Sequence, residues 1–133
     1  MGEGPSTHRR LDRALCGEPR RWGGGRGEAT LRTTEAMAAD ERGLVHGGFV
    51  FGLVDHAAML AVDHPYVVLT GAQVRFTAPV SVGEDVLAEA VVVEREGRKV
   101  TLEVEARVGD RVVLRGSMTA AVLEAHVLDR GRG

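Results

Sequence analysis

The stretch Gly43-Leu44-Val45-His46-Gly47-Gly48-Phe49-Val50-Phe51-Gly52-Leu53-Val54-Asp55-His56-Ala57-Ala58-Met59-Leu60-Ala61-Val62 decides the fold. From Phe49 to Val62 it is apolar on nearly every face, broken only by Gly52 and by the pair Asp55-His56. A helix apolar all round is a buried helix, in a membrane or in a protein core. Its length approaches that of a bilayer span, and Gly48 with Gly52 fits the GxxxG pattern of packed membrane helices. Against this, an aspartate near the midpoint costs about 2.5–3.5 kcal/mol on insertion, and no second span follows. The reading is a core helix of a soluble domain, whose glycines admit another backbone.

Two polar features then require a reason. His46-Gly47-Gly48 stands where the helix should start, so N–H groups without intrahelical partners face outward there, free of side-chain cover. Such a terminus favours developing negative charge. Nine residues after His46, Asp55 places a carboxylate among apolar neighbours. Unpaired, it is costly to bury, and buried carboxylates hold raised pKa values that suit a base or a nucleophile. A carboxylate satisfied by a neighbouring chain, with glycines that merely ease packing, explains the same residues. The helix alone leaves both readings open.

The 133 residues suffice for one domain with a core, and the formal charge of −2 gives no reason to expect nucleic acid or an acidic membrane as partner. A single cysteine, Cys16, rules out an intrachain disulfide framework and any CxxC motif. No apolar signal-like run opens the sequence, so a cytoplasmic location is expected. Asparagine is absent and glutamine occurs once, which is compatible with a thermophilic source.

Residues 1–27 differ from the rest: six arginines face three acids, net +3 against −5 for the remainder. Thr7 to Leu15 reads as a short helix with Thr7 as N-cap. The run Pro19 to Gly27 carries glycines that forbid a stable element, and its arginines and Trp22 are too few for a nucleic-acid tail. Glu28 to Thr34 reads as a strand, and Pro65 ends the central helix. Val67–Ala78, Val86–Glu96, Lys99–Val108 and Arg111–Leu123 read as four further strands. Val100, Leu102, Val104, Ala106 and Val108 alternate with Thr101, Glu103, Glu105 and Arg107, one face buried and one wet. Short links make these four antiparallel. The expected architecture is α+β: a long buried helix wrapped by a five-stranded antiparallel sheet over residues 28–124, between a basic segment (1–27) and a tail (125–133).

This order, with His46-Gly47-Gly48 and an acid nine positions on, resembles the hotdog fold, and specifically the PaaI-like acyl-CoA thioesterases. Arg75-Phe76-Thr77-Ala78-Pro79-Val80, then Gly83-Glu84-Asp85, is similar to that branch's aromatic-x-x-Pro and Gly-acid turn. The resemblance implies Asp55 as catalytic base or nucleophile, Gly47 as N–H donor to the thioester oxygen, and His46 as support for that turn. Gly48, Asp40, His56 and Thr70 follow as substrate-binding candidates. It implies an acyl-CoA substrate with no separate cofactor, and a homodimer or a dimer of dimers. Two positions depart from the branch's pattern. Asp40 stands where some relatives carry asparagine, and Leu69-Thr70 where some carry serine.

A hotdog hydratase would pair Asp40 with His46, but five residues intervene where four are expected. A non-catalytic acyl-CoA sensor is the rival of a different class, since fold does not fix function. A metal site is not expected: the Asp55-His56 and Asp63-His64 pairs lie eight apart, outside the i, i+3 or i, i+4 spacing that converges on one ion. No GxSxG elbow or P-loop occurs.

Overall fold

A computed structural model describes residues 4–129. A short helix α1 (Arg13–Cys16) leads to strands β1 (Glu18–Arg21) and β2 (Arg26–Arg32). Helix α2 (Gly47–Val62) follows, then β3 (Val67–Phe76), β4 (Asp85–Glu96), β5 (Lys99–Val108) and β6 (Arg111–Val122). The strands form one antiparallel sheet in the order β1-β2-β4-β5-β6-β3. α2 lies on its inner face, chiefly against β2 and β4. Leu53, Val54, Ala57, Leu60 and Ala61 are fully buried there, among Leu31, Val86, Ala88, Leu102, Leu114 and Met118.

The sheet has six strands, not the five expected, and the added one comes from the run read as unstructured. β1 pairs with β2, and Arg20 Nε donates to Thr30 Oγ1 at 3.1 Å. Gly23, Gly24 and Gly25 all take positive φ, turning the chain between the two strands in a conformation that costs glycine little. Two of these N–H groups also serve the helix: Gly23 donates to Leu60 O at 2.9 Å and Gly25 to Ala61 O at 3.2 Å. The run therefore supplies acceptor-seeking N–H groups to the last turn of α2, where carbonyls lack intrahelical partners. Gly27 shows why β2 begins before Glu28. A Cβ there would collide with Ala57 O and stand 2.5 Å from Ala61 N, so only glycine lets strand and helix touch backbone to backbone.

α2 starts at Gly47 with His46 as N-cap, and it ends at Asp63, which is left-handed and returns its N–H to Met59 O at 2.8 Å. α1 is capped by Asp12, whose carboxylate accepts from Ala14 N, rather than by Thr7. The antiparallel reading of β3 to β6 holds, but β3 does not neighbour β4: it pairs with β6 and forms one edge of the sheet. The Thr77–Glu84 link crosses the sheet end instead, pinned where Val45 N meets Val80 O and where Thr33 Oγ1 donates to the carbonyls of Ser81 and Glu84. No helix among the described residues is long and apolar enough to cross a membrane. Of the tail, Val127–Asp129 forms a single 3₁₀ turn, and residues 130–133 lie outside the described residues.

Candidate active site

The loop before α2 is fixed at both ends. Ala39 N donates to Leu44 O at 2.7 Å, and His46 N donates to Met37 O at 2.9 Å. Asp40 has a structural task here: its Oδ1 accepts from Arg42 N at 2.9 Å and Leu44 N at 3.2 Å, closing the turn that delivers His46. No hydrogen bond or ion pair joins Asp40 to His46 among the described residues. His46 caps the helix with its backbone alone; its exposed ring meets the Phe49 ring edge-on at 6.2 Å. The helix therefore begins with uncovered N–H groups at Gly47 and Gly48.

Both glycines are tightly faced. A Cβ at Gly47 would lie 3.3 Å from the Phe76 ring, and one at Gly48 would lie 3.1 Å from the His46 ring. Gly52, one turn on, has nothing within 4 Å of a notional Cβ. Beside Gly47 a shallow apolar cleft of about 380 Å³ is lined by Leu44, Val45, Val50, Phe76, Pro79 and Val113, among others. A larger concavity, about 1190 Å³, opens on the charged outer face of the sheet among Arg26, Glu89, Glu103, Glu105 and Arg115. None of the candidate residues lines it, and its size is no guide to the chemistry.

Asp55 lies three residues beyond Gly52. Its side chain is largely enclosed, and Oδ1 is buried without a hydrogen-bond partner among the described residues. Burial raises its pKa above the ordinary carboxylate value, and the charge of His8 partly opposes that rise. His56, the next residue, points elsewhere: it is 3% exposed, and its Nδ1 sits 3.0 Å from Cys16 O. A carbonyl only accepts, so Nδ1 carries the proton. Burial lowers the His56 pKa, only partly countered by the Cys16 carbonyl, which leaves a neutral ring at neutral pH. The Cys16 thiol is pushed up by burial and by the carboxylates of Asp12 and Asp55, so it is a poor nucleophile. Thr70 is exposed at a bulge in β3, bonded to Thr119 Oγ1 at 3.1 Å. Among the described residues no cluster of His, Cys, Asp and Glu could hold a metal ion.

The structure thus sets His46, Gly47, Gly48 and Asp55 along one helix, and diverts Asp40 and His56 to structural bonds. Sequence reasoning missed Phe76 as the wall of Gly47.

One long helix cradled by a single antiparallel sheet, with polar candidates on that helix, defines a hotdog-fold protein. The family model of the fluoroacetyl-CoA-specific thioesterase (FlK) matches residues 51–126, more than half of the chain and inclusive of Asp55. The chain belongs to the hotdog acyl-CoA thioesterase family. Among solved structures it is similar to the uncharacterized protein PH1136 from Pyrococcus horikoshii, with 48% identity, 95% and 97% of the two chains covered, and a TM-score of 0.93. It is also similar to a mutant of the phenylacetic acid degradation protein PaaI from Thermus thermophilus, with 27% identity, 83% and 96% covered, and a TM-score of 0.74. Among curated proteins it is 44% identical over 117 residues to methylthioribose-1-phosphate isomerase of Aquifex aeolicus, covering 88% of this chain and 26% of that protein. It is 27% identical over 107 residues to the transcription factor FapR of Caldanaerobacter subterraneus, covering 80% of this chain and 54% of that protein. The chain therefore spans about a quarter to a half of the curated relatives it matches.

Proposed function

We propose that the protein hydrolyses an acyl-CoA thioester with Asp55 as base or nucleophile. The observation that carries this reading is the Asp55 carboxyl itself: enclosed, raised in pKa, and without a partner for Oδ1. A group held in that state is costly to keep and takes a proton more readily than an ordinary carboxylate. Thioester hydrolysis also builds charge on the carbonyl oxygen, and the uncovered N–H of Gly47 at the start of α2 is suited to stabilise it. His46 supports this turn through its backbone bond to Met37. Coenzyme A enters as part of the substrate.

α2 is one continuous helix, so Gly47 and Asp55 are separated by about 12 Å of rise. A single thioester needs both groups within about 3 Å of its reacting atoms. A twofold dimer that sets Asp55 of one chain beside Gly47 of the other resolves this, and the open edge strand β3, with Phe76 55% exposed, is a fitting seam. Release of free thiol from acyl-CoA thioesters of graded length and aromaticity tests the activity. Refolding Asp55→Ala together with Gly47→Pro tests the sharing: hybrids with one intact site should recover part of the activity, and hybrids that form but stay dead contradict it.

Likeness to the transcription factor FapR favours a second reading, a regulatory protein of the same fold that binds its ligand without turnover, which for this chain would be the thioester. The same assay separates the two, because a sensor binds the thioester and releases no thiol.

A further inference from the structure

The cleft beside Gly47 is walled by carbon. Phe76 pairs with buried Leu114 in the sheet, so its ring lies on the helix side and faces Gly47, where a Cβ would stand 3.3 Å from it. Val45, Val50, Val80 and Val113 line the cleft and are buried, while Leu44 is exposed at its rim. Exposed apolar side chains scattered singly need no explanation. Leu44 and Phe76 instead converge on one cleft, which marks it for an apolar occupant.

The polar groups of the lining are already engaged with one another. Val80 O accepts from Val45 N at 2.8 Å, and Val113 O accepts from Thr77 N at 2.9 Å. Thr77 Oγ1 donates to Val112 O at 2.7 Å, and Pro79 O accepts from Arg111 Nη2 at 3.3 Å. Among the described residues no charged side chain lines the cleft. These bonds also tie the loop before α2 to the Thr77–Glu84 link, so the walls are set before anything binds.

We propose that this cleft is the acyl subsite, that it takes an uncharged, compact hydrocarbon acyl group, and that Phe76 and Leu44 set this specificity. The proposal rests on the thioester reading and adds its substrate class. A thioester oxygen held by the Gly47 N–H brings both substituents of the carbonyl carbon to the mouth of the cleft. The pantetheine arm carries amides and a hydroxyl, which would lose water inside without gaining partners. A hydrocarbon acyl chain has no such loss, and each methylene it buries is worth about fourfold in affinity. An acyl group ending in a carboxylate meets no cation there. Compactness follows from the volume of about 380 Å³, at the small end for ligand sites. Phe76 also ends β3, the edge proposed as the seam, so a second chain would cover the outer side of its ring and close the cleft.

The test uses the full chain and two isosteric thioesters, 4-methylpentanoyl-CoA and succinyl-CoA, which end in an isopropyl group and a carboxylate. In the wild type kcat/KM should favour the neutral one by at least about 100-fold. Leu44→Arg sets a cation at the rim and should narrow that ratio roughly tenfold. Phe76→Ala should lower kcat/KM for 4-methylpentanoyl-CoA by about tenfold or more, and for acetyl-CoA by less, because acetyl is too short to run along the ring. Equal losses on those two substrates overturn the assignment of Phe76. Equal cleavage of the isosteric pair by the wild type, or a ratio that Leu44→Arg leaves unchanged, overturns the proposal. If the wild type cleaves neither, the hydrolase reading fails, and calorimetric binding of the same pair decides the cleft. Tighter binding of the neutral thioester then upholds the acyl subsite, and equal or absent binding overturns it.

Discussion

The two halves of α2 are built on opposite terms. The first half, from Gly47 to Gly52, carries three glycines and no side-chain cap, and at Gly52 nothing approaches the backbone. The second half, from Leu53 to Ala61, is buried apart from Asp55 and is met backbone to backbone by Gly27. Its final carbonyls are served by Gly23 and Gly25, and its side is covered by the N-terminal segment. Packing is concentrated on the second half of the helix, and bare backbone on the first. Asp55 sits at the boundary, half-buried, with enough enclosure to raise its pKa.

The contrast can be broken most severely at Gly27. Gly27→Val drives a side chain into Ala57 O and Ala61 N and should cost at least about 4 kcal/mol or abolish folding, as thermal unfolding would show. Removing residues 1–17 uncovers Leu53 and His56 and should cost about 2–4 kcal/mol, read as a lower denaturation midpoint. A midpoint equal to that of the full chain would show that the segment is no part of the fold.

Smaller effects sharpen the boundary. Asp55→Asn should raise Tm at neutral pH. The native carboxyl has a raised pKa, so between the ordinary carboxylate value and the native one the folded state holds more protons, and stability falls as pH rises. The advantage of the variant should vanish below that window. His56 runs the other way: its native pKa is lowered, so the wild type should lose stability as pH falls through about 6.5, where the unfolded ring charges first. His56→Gln should flatten that slope. Smallest is Gly52→Ala, which meets no atom and should gain about 0.5–1 kcal/mol from helix propensity while lowering turnover, because it fills the open face.

Much of this was legible from residues. The helix declared itself through continuous apolarity, and β5 through strict alternation, because both signals are local. The order of the sheet was not legible. Short links between β3 and β4 read as a hairpin, yet Pro79 and the bonds of Val80 and Thr33 turn that link across the sheet end. The glycines of residues 23–27 read as breakers, since their positive φ and close approaches acquire meaning only against the carbonyls of α2. At the site, Gly47 and Asp55 carried a recognisable spacing. Asp40 and His56 were equally visible as polar residues, but their partners, Leu44 N and Cys16 O, are backbone groups that no side-chain pattern announces.

The most direct measurement is free-thiol release from an acyl-CoA that the wild type cleaves, comparing wild type with Asp55→Asn, each confirmed folded by circular dichroism. The substitution keeps the shape and removes the base. The account requires kcat to fall by at least about 10²-fold with the fold intact. Turnover by folded Asp55→Asn at the wild-type rate would contradict it.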